Sequence, residues 1–369
     1  MKIHVLNAMP IDGIGPSQTC LNICTAMAEH GAELTWFGTR MKAPTPRNVT
    51  MALPFSNLAA RVPYRLSGSF LAAQMATRVR RAIPDGALVY VWPNTPLEMV
   101  EQLKARGCKI AYEMINITTR AEKRIIEAEM DRENFHYAHY VTDDKIAAQD
   151  RLFALADLIF CSNVNAEASL REAGIEPERI ALTGYAASNF AERRSYDSAE
   201  PRFLFVGRVN LEKGAHLLLR AWHGAGCPGR LVLCGVPDPK FEAQYSDLLA
   251  HDSIEMAGFQ TDMQRHYDRA DCFILFSLAE GGPQVTHEAT AKGVPVIASR
   301  MSAGRILDAP EALMLVDPND VEAAAEAIRH LAQSPEARRR LGQAGHAISC
   351  QFTWSRAAQD RLGAIHALK

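Results

Sequence analysis

The sequence lacks an excess of charge of either sign. It has 40 lysines and arginines against 42 aspartates and glutamates, a formal net charge of −2. Domains that bind nucleic acid usually carry a basic excess, so we expect no nucleic-acid partner. Electrostatic contributions to binding must come from local groups.

Cysteine pairs with metal-ligand spacing are also missing. The eight cysteines form no C-x-x-C pair and lie mostly in apolar runs such as "LVLCG" and "DLIFCS". We therefore expect buried, reduced thiols rather than disulfides or a zinc site. His136 and His139 could share a helix face, but no carboxylate or cysteine set completes a metal site around them. We expect neither a bound metal nor a cofactor.

Long apolar runs are absent as well. The start, "MKIHVLNAMP", is interrupted too soon for a signal peptide, and no run reaches membrane-spanning length. We expect a cytoplasmic protein. Residues 55–84 hold five arginines and no acid among many apolar residues. Two hypotheses fit this stretch: contact with an anionic membrane at its inner face, or a solvated basic helix over a sheet.

Short apolar runs alternate with helical patterns in both halves of the chain. This order predicts an α/β fold with two doubly wound parallel sheets, since parallel strands need crossover helices. The chain is also long for a single domain. The polar stretch "AASNFAERRSYDSAEP", residues 186–201, separates the halves, and we predict domains over 1–187 and 201–351. Ligands of such sheets bind at the carboxyl ends of the strands, which places the site in the interdomain cleft.

Eleven strands are expected within the two halves. In chain order they are "KIHVL", "ELTWFG", "ALVYVW", "KIAYEM", "DLIFCS", "RIALTG", "RFLFVG", "RLVLCG", "IEMAG", "CFILFS" and "VPVIAS". After the first strand, Gly13 and Gly15 form a loop that lets backbone approach a ligand, and a helix is expected over residues 16–30. A third glycine of G-x-G-x-x-G is missing, which disfavours a dinucleotide site.

The stretch "EGGPQVTHEATAKG", residues 280–293, contains two acids eight positions apart. Acid pairs that cleave glycosidic bonds stand roughly 5 to 10 Å apart. In one continuous helix, Glu280 and Glu288 would be separated by ~12 Å, which is too far. Because Gly281, Gly282 and Pro283 are poor helix-interior residues, we expect Glu280 at a strand end, a glycine turn, and Glu288 inside the following helix.

This arrangement suits a sugar nucleotide. A phosphate can bind at the glycine turn and the positive end of the helix. One acid lies before that phosphate and one beyond it, so each can accept hydrogen bonds from hydroxyls on opposite sides of a diphosphate. In "FVGRVNLEKGAHLL", Arg208 and Lys213 follow another strand and can neutralise a departing diphosphate, although either could simply be a solvated surface residue.

"VGRVNLEKG" and "MAGFQTDMQRHYDRADCFILFSLAEGGPQVTHEATAKGVPVIAS" resemble glycosyltransferase family 4, the retaining GT-B enzymes with an E-x7-E motif. The resemblance is highly specific from about residue 202 onward and weaker over 1–190. It implies two Rossmann-like domains around a cleft, with the acceptor bound by the first and the nucleotide sugar by the second. It also implies that residues 352–369 form a helix that crosses back to the first domain.

Carried over position by position, the resemblance implies specific roles. Arg208 and Lys213 match the diphosphate-binding cations, and Glu280 the acid near the transferred sugar. Glu288 matches the acid that binds the ribose. Gly13 and Gly15 stand where the family's glycine loop touches the donor. The family transfers a hexosyl-type sugar with retention at the anomeric carbon and without a required metal.

The chain departs from the family pattern at three places. Pro283 replaces a glycine and has no amide hydrogen, so the phosphate contacts must shift to the amides of Gly282, Gln284 and Val285. His287 replaces an apolar residue, and helix packing is its expected role. Where many members carry an acceptor-side histidine, "YVWPN" offers Trp92 and "AYEMIN" offers Glu113 and Asn116. Glu113 either faces the cleft and orients an acceptor hydroxyl, or pairs with an arginine such as Arg120.

The leading interpretation is a retaining glycosyltransferase that acts on a glycan or lipid-linked saccharide, as in cell-surface polysaccharide synthesis. Glu280, Arg208 and Lys213 would carry the donor chemistry. Two alternatives stay open: a sugar-nucleotide epimerase or phosphorylase on the same architecture, and a non-catalytic subunit that binds the sugar nucleotide. The missing histidine keeps the last one open.

Overall fold

The computed structural model describes residues 1–11, 15–40, 49–52, 64–137, 140–188, 190–191 and 195–368. Within these ranges the chain forms two fully parallel sheets, one of seven strands and one of six. The expectation of two doubly wound parallel sheets is confirmed.

The first sheet and its helices extend to residue 182. Its described strands are β1 (Lys2–Asn7), β2 (Glu33–Gly38), β3 (Val49–Ala52), β4 (Leu88–Val91), β5 (Lys109–Glu113), β6 (Leu158–Cys161) and β7 (Ile180–Leu182). The helices among them are α1 (Gly15–Glu29), α2 (Tyr64–Ala82), α3 (Leu97–Ala105), α4 (Thr119–Arg132), α5 (Asp143–Leu155) and α6 (Val164–Glu172).

The second sheet begins at residue 202. Its strands are β8 (Arg202–Val206), β9 (Arg230–Cys234), β10 (Ile254–Met256), β11 (Cys272–Leu275), β12 (Val296–Ser299) and β13 (Met314–Val316). The accompanying helices are α7 (Ala215–Gly224), α8 (Pro239–Gln244), α9 (Ser246–Leu249), α10 (Met263–Arg269), α11 (Gln284–Ala291), α12 (Val321–Gln333), α13 (Pro335–Ser349) and α14 (Trp354–His366).

The strand orders place a switch point at the middle of each sheet. The first sheet runs β3-β2-β1-β4-β5-β6-β7 and the second β10-β9-β8-β11-β12-β13. The connections after β1 and β8 lead one way and those after β4 and β11 the other, so a crevice opens beyond the carboxyl ends of these strands. The loops that follow β8 and β11 carry the predicted donor residues.

Helix α14 belongs spatially to the first sheet. It packs against α1, and its buried Ala358 and Ile365 join the apolar layer that contains Ile3 and Val5 of β1. The expected return of the C-terminal helix to the first domain is confirmed.

Two edge strands, β3 and β13, were not predicted from the sequence. The segments "VTMA" of β3 and "MLV" of β13 have only 4 and 3 residues. Such short runs carry too few apolar positions to show a period, and they are fixed by pairing with β2 and β12.

Candidate functional site

The loop after β8 carries the lysine of the candidate site. β8 and β11 are neighbours in the second sheet, so their carboxyl ends emerge side by side. Lys213 Nζ lies 2.6 Å from Glu280 Oε1, and the Lys213 amide donates to Asn210 Oδ1 at 3.0 Å. The hydroxyl of Ser277 also donates to Glu280 Oε1, at 2.9 Å. Two sequence-predicted residues are thus in direct contact.

The charge of Lys213 is fixed by its carboxylate neighbours. Burial alone would lower the pKa of this ammonium, but the charges of Glu280 and Glu212 outweigh it and raise the pKa. Glu212 Oε1 lies 3.5 Å from Nζ. Lys213 therefore stays protonated at neutral pH and can attract an anion.

Gly214 allows this contact. Its φ is +64°, and a Cβ built on it would lie 2.0 Å from the carbonyl oxygen of Phe276, just beyond β11. The backbone before α7 therefore touches the backbone after β11, which is possible only without a side chain. This close approach brings Lys213 to Glu280.

The glycine turn, Gly281 and Gly282, lies against the first domain, a contact that was not predicted from the sequence. A Cβ on Gly281 would lie 2.2 Å from Cα of Asn116, and one on Gly282 2.4 Å from Cδ2 of Tyr185. The Gly281 carbonyl accepts hydrogen bonds from the Ser162 hydroxyl and, at 2.7 Å, from Asn163 Nδ2. The missing side chains let the second domain contact the first.

Two helix N-termini meet beside this turn. Gln284 begins α11, and its Oε1 accepts a hydrogen bond at 2.9 Å from the Thr19 hydroxyl in the first turns of α1. Gly15 begins α1 with φ +64°, whereas Gly13 lies outside the described residues. Neither helix has an acidic residue in its first turn, so no carboxylate there offsets the positive end of the helix. The Val285 amide belongs to the first turn of α11.

Glu288 lies further along α11. Its Oε2 accepts a hydrogen bond at 2.7 Å from the hydroxyl of Tyr267. Burial raises the pKa of Glu288, and the bond from Tyr267 partly opposes this rise. The two acids of the stretch thus have separate partners: Lys213 and Ser277 for Glu280, and Tyr267 for Glu288.

His287 is a packed residue, as its helical position suggested. It is buried, and its ring centroid lies 5.1 Å from that of Phe352 in an edge-on arrangement. Burial, with a smaller effect of the Arg305 charge, lowers its pKa to about 4. His287 is therefore neutral at physiological pH.

Arg208 is exposed. Within the described part of the chain it forms no ion pair, and it is absent from the contact between Lys213 and Glu280. It follows β8 directly, so its guanidinium is available to a ligand at the carboxyl edge of the sheet.

Glu113 does not face the cleft, which corrects one of the two interpretations of its place in the sequence. It is fully buried, and Arg361 of α14 donates to both of its oxygens, at 2.6 and 3.0 Å. The hydroxyls of Tyr90 and Tyr185 donate to the same carboxylate. Its oxygens are therefore occupied, and Arg361 rather than Arg120 is the partner.

Asn116 and Trp92 differ in their exposure. Asn116 is half-buried at the Gly281 contact, with Oδ1 accepting from the Ile117 amide at 2.9 Å. Trp92 is fully buried in the first domain. Of the residues predicted on this side, Asn116 alone lies at the domain contact among those described.

Glu122 is a carboxylate of the cleft that sequence analysis missed. It lies in the first turn of α4, 5% exposed, and its Oε1 has no hydrogen-bond partner among the described residues. Burial is the main cause that raises its pKa to about 7, and the charges of Glu212 and Glu280 add to it. Lys213 acts in the opposite direction. The loop before α4 touches the glycine turn where Asn116 meets Gly281, so Glu122 lies in the first-domain wall near the Lys213 pair.

A second polar contact joins the domains away from the cleft. His216 Nε2 lies 2.7 Å from Glu129 Oε1, and Arg220 donates to both oxygens of Glu133 at 2.6 and 2.7 Å. Ligand atoms of Glu129, Glu133 and His216 lie within 4.8 Å of one another, a spacing that a metal could use. Because Arg132 and Arg220 already pair with these carboxylates, we interpret the group as an interdomain contact.

The comparison with family models concerns the second domain. Residues 189–347 match the family described as "Glycosyl transferases group 1". The chain is similar to this family over these residues. The match covers the loops that carry Lys213, Glu280 and Glu288, so the candidate site lies within that domain on one wall of the cleft.

Two curated relatives share parts of the chain. The lipopolysaccharide core biosynthesis glycosyltransferase LpsE of Rhizobium meliloti is 26% identical over 204 residues, 53% of this chain and 59% of the relative. An exopolysaccharide phosphotransferase of Streptomyces coelicolor is 39% identical over 105 residues, 28% of this chain and 11% of the relative. The chain thus spans about three fifths of LpsE and about a tenth of the phosphotransferase.

Solved glycosyltransferase structures share the whole architecture. Sucrose-phosphate synthase of Thermosynechococcus elongatus superposes with a TM-score of 0.76 at 19% identity, covering 99% of this chain and 98% of that one. Anabaena HepE, in complex with UDP and glucose, gives 0.70 at 16% identity with full coverage of both chains. The fold is GT-B, as predicted.

The length and hydropathy of the helices decide whether one could span a membrane. In the described part of the chain, none is both long and apolar enough to cross a bilayer.

Proposed function

We propose that this protein is a retaining glycosyltransferase that moves a sugar from a nucleotide diphosphate sugar to a hydroxyl of a glycan or lipid-linked saccharide. One observation carries the proposal: the 2.6 Å contact between Lys213 and Glu280, in the loops that follow two adjacent strands and beside the starts of two helices. A cation, a carboxylate and uncompensated helix ends in one cleft match the charges of a sugar diphosphate.

Each donor group has a role in the reaction. The bond between the anomeric carbon and the diphosphate oxygen breaks, and the acceptor oxygen bonds to that carbon. The acceptor proton passes to the departing diphosphate. Lys213 and Arg208 stabilise the charge on that diphosphate, while Glu280 holds hydroxyls of the sugar. The amides of Gly282, Gln284 and Val285 contact the phosphates, and so does the backbone at Gly15, where α1 begins. The family resemblance implies the same role for Gly13.

The nucleoside end of the donor lies toward Glu288. Its carboxylate, held by Tyr267, accepts hydrogen bonds from the ribose hydroxyls. The loops over residues 235–239 and 258–260 contact the base. Each presents a large exposed apolar side chain, Val236 at 57% and Phe259 at 59% exposure, which a base can cover.

Retention and metal independence rest on the family resemblance. Lys213 and Arg208 supply the positive charge that a divalent ion supplies in other transferases. We therefore expect excess EDTA to leave turnover unchanged, and proton NMR of the product to show the anomeric configuration of the donor. An inverted product would contradict the mechanism but not the transfer.

A panel of UDP-, GDP- and ADP-sugars tests the function directly. Calorimetry measures donor binding, and product analysis with and without saccharide acceptors measures transfer. Transfer supports the proposal. Donor isomerisation without an acceptor would identify an epimerase, and binding without turnover would identify a donor-binding subunit.

We also propose that residues 55–84 bring the enzyme to an anionic membrane surface. Residues 55–63 lie outside the described part, but α2 presents Phe70, 60% exposed, together with exposed Arg78, Arg80 and Arg81. An exposed aromatic among arginines suits an anionic interface. Flotation with vesicles of phosphatidylglycerol should carry the protein upward, and phosphatidylcholine vesicles are the control. No flotation with either would overturn this part.

A further inference from the structure

Glu122 enters the cleft from the wall opposite the donor residues. Helix α4 follows β5, next to the switch point of the first sheet, and Thr118 caps its start by accepting a hydrogen bond from Ala121. Lys213, Glu280 and Glu288 all come from the second domain. Glu122 is therefore a carboxylate that the first domain brings to this site.

One oxygen of Glu122, Oε1, has no hydrogen-bond partner among the described residues. Three of the charged groups that act on it, Glu212, Lys213 and Glu280, stand across the cleft, and Lys145 of α5 acts from its own domain. The phenol of Tyr137, beyond α4, also lies within the influence of Glu122. Two of these neighbours are acids, so folding alone disfavours a carboxylate here.

Glu122 lies nearer the sugar end of a bound donor than its nucleoside end. Asn116, in the loop between β5 and α4, lies against Gly281, the residue next to Glu280. The first turn of α4, which carries Glu122, therefore stands near the Glu280 end of the site. Under the proposed function, Glu280 marks the transferred sugar. The family resemblance assigns the acceptor to the first domain, and Glu122 belongs to that domain.

We propose that Glu122 binds the acceptor: its carboxylate accepts a hydrogen bond from the saccharide hydroxyl that attacks the anomeric carbon. It thereby fills the role for which Glu113 and Asn116 were candidates. This inference rests on the proposed function, because it assumes that a sugar is transferred at Glu280. The carboxylate orients the hydroxyl, and the proton still leaves with the diphosphate.

The experiment compares the wild type with Glu122→Leu, Glu122→Gln and the control Glu127→Gln. Glu127 is an exposed acid on the same helix. The full chain is assayed with UDP-glucose, or the best sugar nucleotide of the panel, and a series of methyl hexosides as acceptors. Donor binding, donor hydrolysis by water and transfer are measured separately.

We expect Glu122→Leu to bind and hydrolyse the donor like the wild type while the KM for the hexoside rises at least tenfold. Glu127→Gln should leave all three quantities unchanged. Glu122→Gln keeps a hydrogen-bonding group but cannot ionise. Wild-type transfer should therefore rise with pH across the neutral range, and that rise should be absent in Glu122→Gln.

Two results would overturn the inference while leaving the proposed function intact. One is an unchanged acceptor KM in Glu122→Leu. The other is a parallel loss of donor binding and hydrolysis, which would assign Glu122 to the donor site. If the wild type neither binds nor hydrolyses any sugar nucleotide, the proposed function fails and the inference falls with it.

Discussion

Two groups of carboxylates in this protein differ in the partners that surround them. In the interior pair, Glu113 receives hydrogen bonds from Arg361, Tyr90 and Tyr185. In the cleft group, Glu212 and Glu280 lie beside Lys213, and the buried Glu122 has one oxygen, Oε1, without a hydrogen-bond partner among the described residues. The hydrogen-bonding capacity of the interior pair is used without a ligand, whereas the cleft group keeps an oxygen that a ligand can bond.

This difference distinguishes carboxylates that stabilise the fold from carboxylates that can bind a ligand. An acid whose hydrogen-bonding capacity is used inside the fold has none left for a substrate. An acid that is buried, repelled by its neighbours and unpaired lowers stability, and such sites concentrate where a ligand completes them. The comparison therefore favours the cleft group as the reactive one.

The largest expected effect comes from breaking the interior pair. Arg361→Met leaves Glu113 buried without a cation, which should lower the free energy of unfolding by about 3 to 5 kcal/mol in urea titrations. Arg356→Met, an exposed change on the same helix, is the control and should cost under about 1 kcal/mol. Equal effects of the two changes would remove the distinction.

Breaking the cleft group should affect turnover instead. Lys213→Ala removes the cation that stabilises the departing diphosphate, and kcat should fall about 100-fold or more. The melting temperature should change far less than in Arg361→Met, because Lys213 and Glu280 retain some contact with solvent. The exposed Lys109→Ala is the control. Near-normal turnover in Lys213→Ala would count decisively against the assignment.

The pH dependence of stability tests whether Glu122 is strained. Its pKa rises from an ordinary 4.5 to about 7 on folding, so the protonated acid favours the folded state and that stability is lost as pH rises between these values. Glu122→Gln cannot ionise and should be more stable than the wild type at pH 8, by up to roughly 3 kcal/mol. The two proteins should converge near pH 4. A pH-independent difference would show that charge is not the cause.

The smallest effect is expected at the far end of the donor. Glu288→Gln keeps the shape of the side chain and weakens the hydrogen bonds to the ribose, so the KM for the donor should rise about tenfold while kcat changes little. Calorimetry with the nucleoside diphosphate alone should show the same loss. A fall in kcat without a change in KM would place Glu288 at the reacting centre.

The donor side of the cleft was readable from the sequence because its determinants are local. Strand, glycine turn and helix follow one another around Glu280, and the same holds for the loop that carries Lys213. The spacing of the two acids, with the glycines and the proline between them, therefore placed Glu288 inside a helix. The strand is shorter than expected, since β11 ends at Leu275 and Glu280 lies in the loop that follows it. The structure adds that Gly281 and Gly282 serve domain contact.

The rest depends on residues distant in sequence. Arg361 lies 248 positions from Glu113, so no local pattern indicates their pairing. Glu122 stands in "TRAEKRIIEAEMDR", where several acids look alike. Only the packing of two domains shows which of them faces the cleft.

The pairing of Glu113 with Arg361 has a consequence for the order of synthesis. The strand that carries Glu113 leaves the ribosome well before α14, by ~10 to 50 seconds at usual elongation rates. During that interval the first domain holds an acid among tyrosines with no cation to meet it. We expect a truncated chain that ends at residue 187 to be held by chaperones or degraded. Such a chain lacks α14, which supplies Arg361 to Glu113 and completes the apolar core of the first domain.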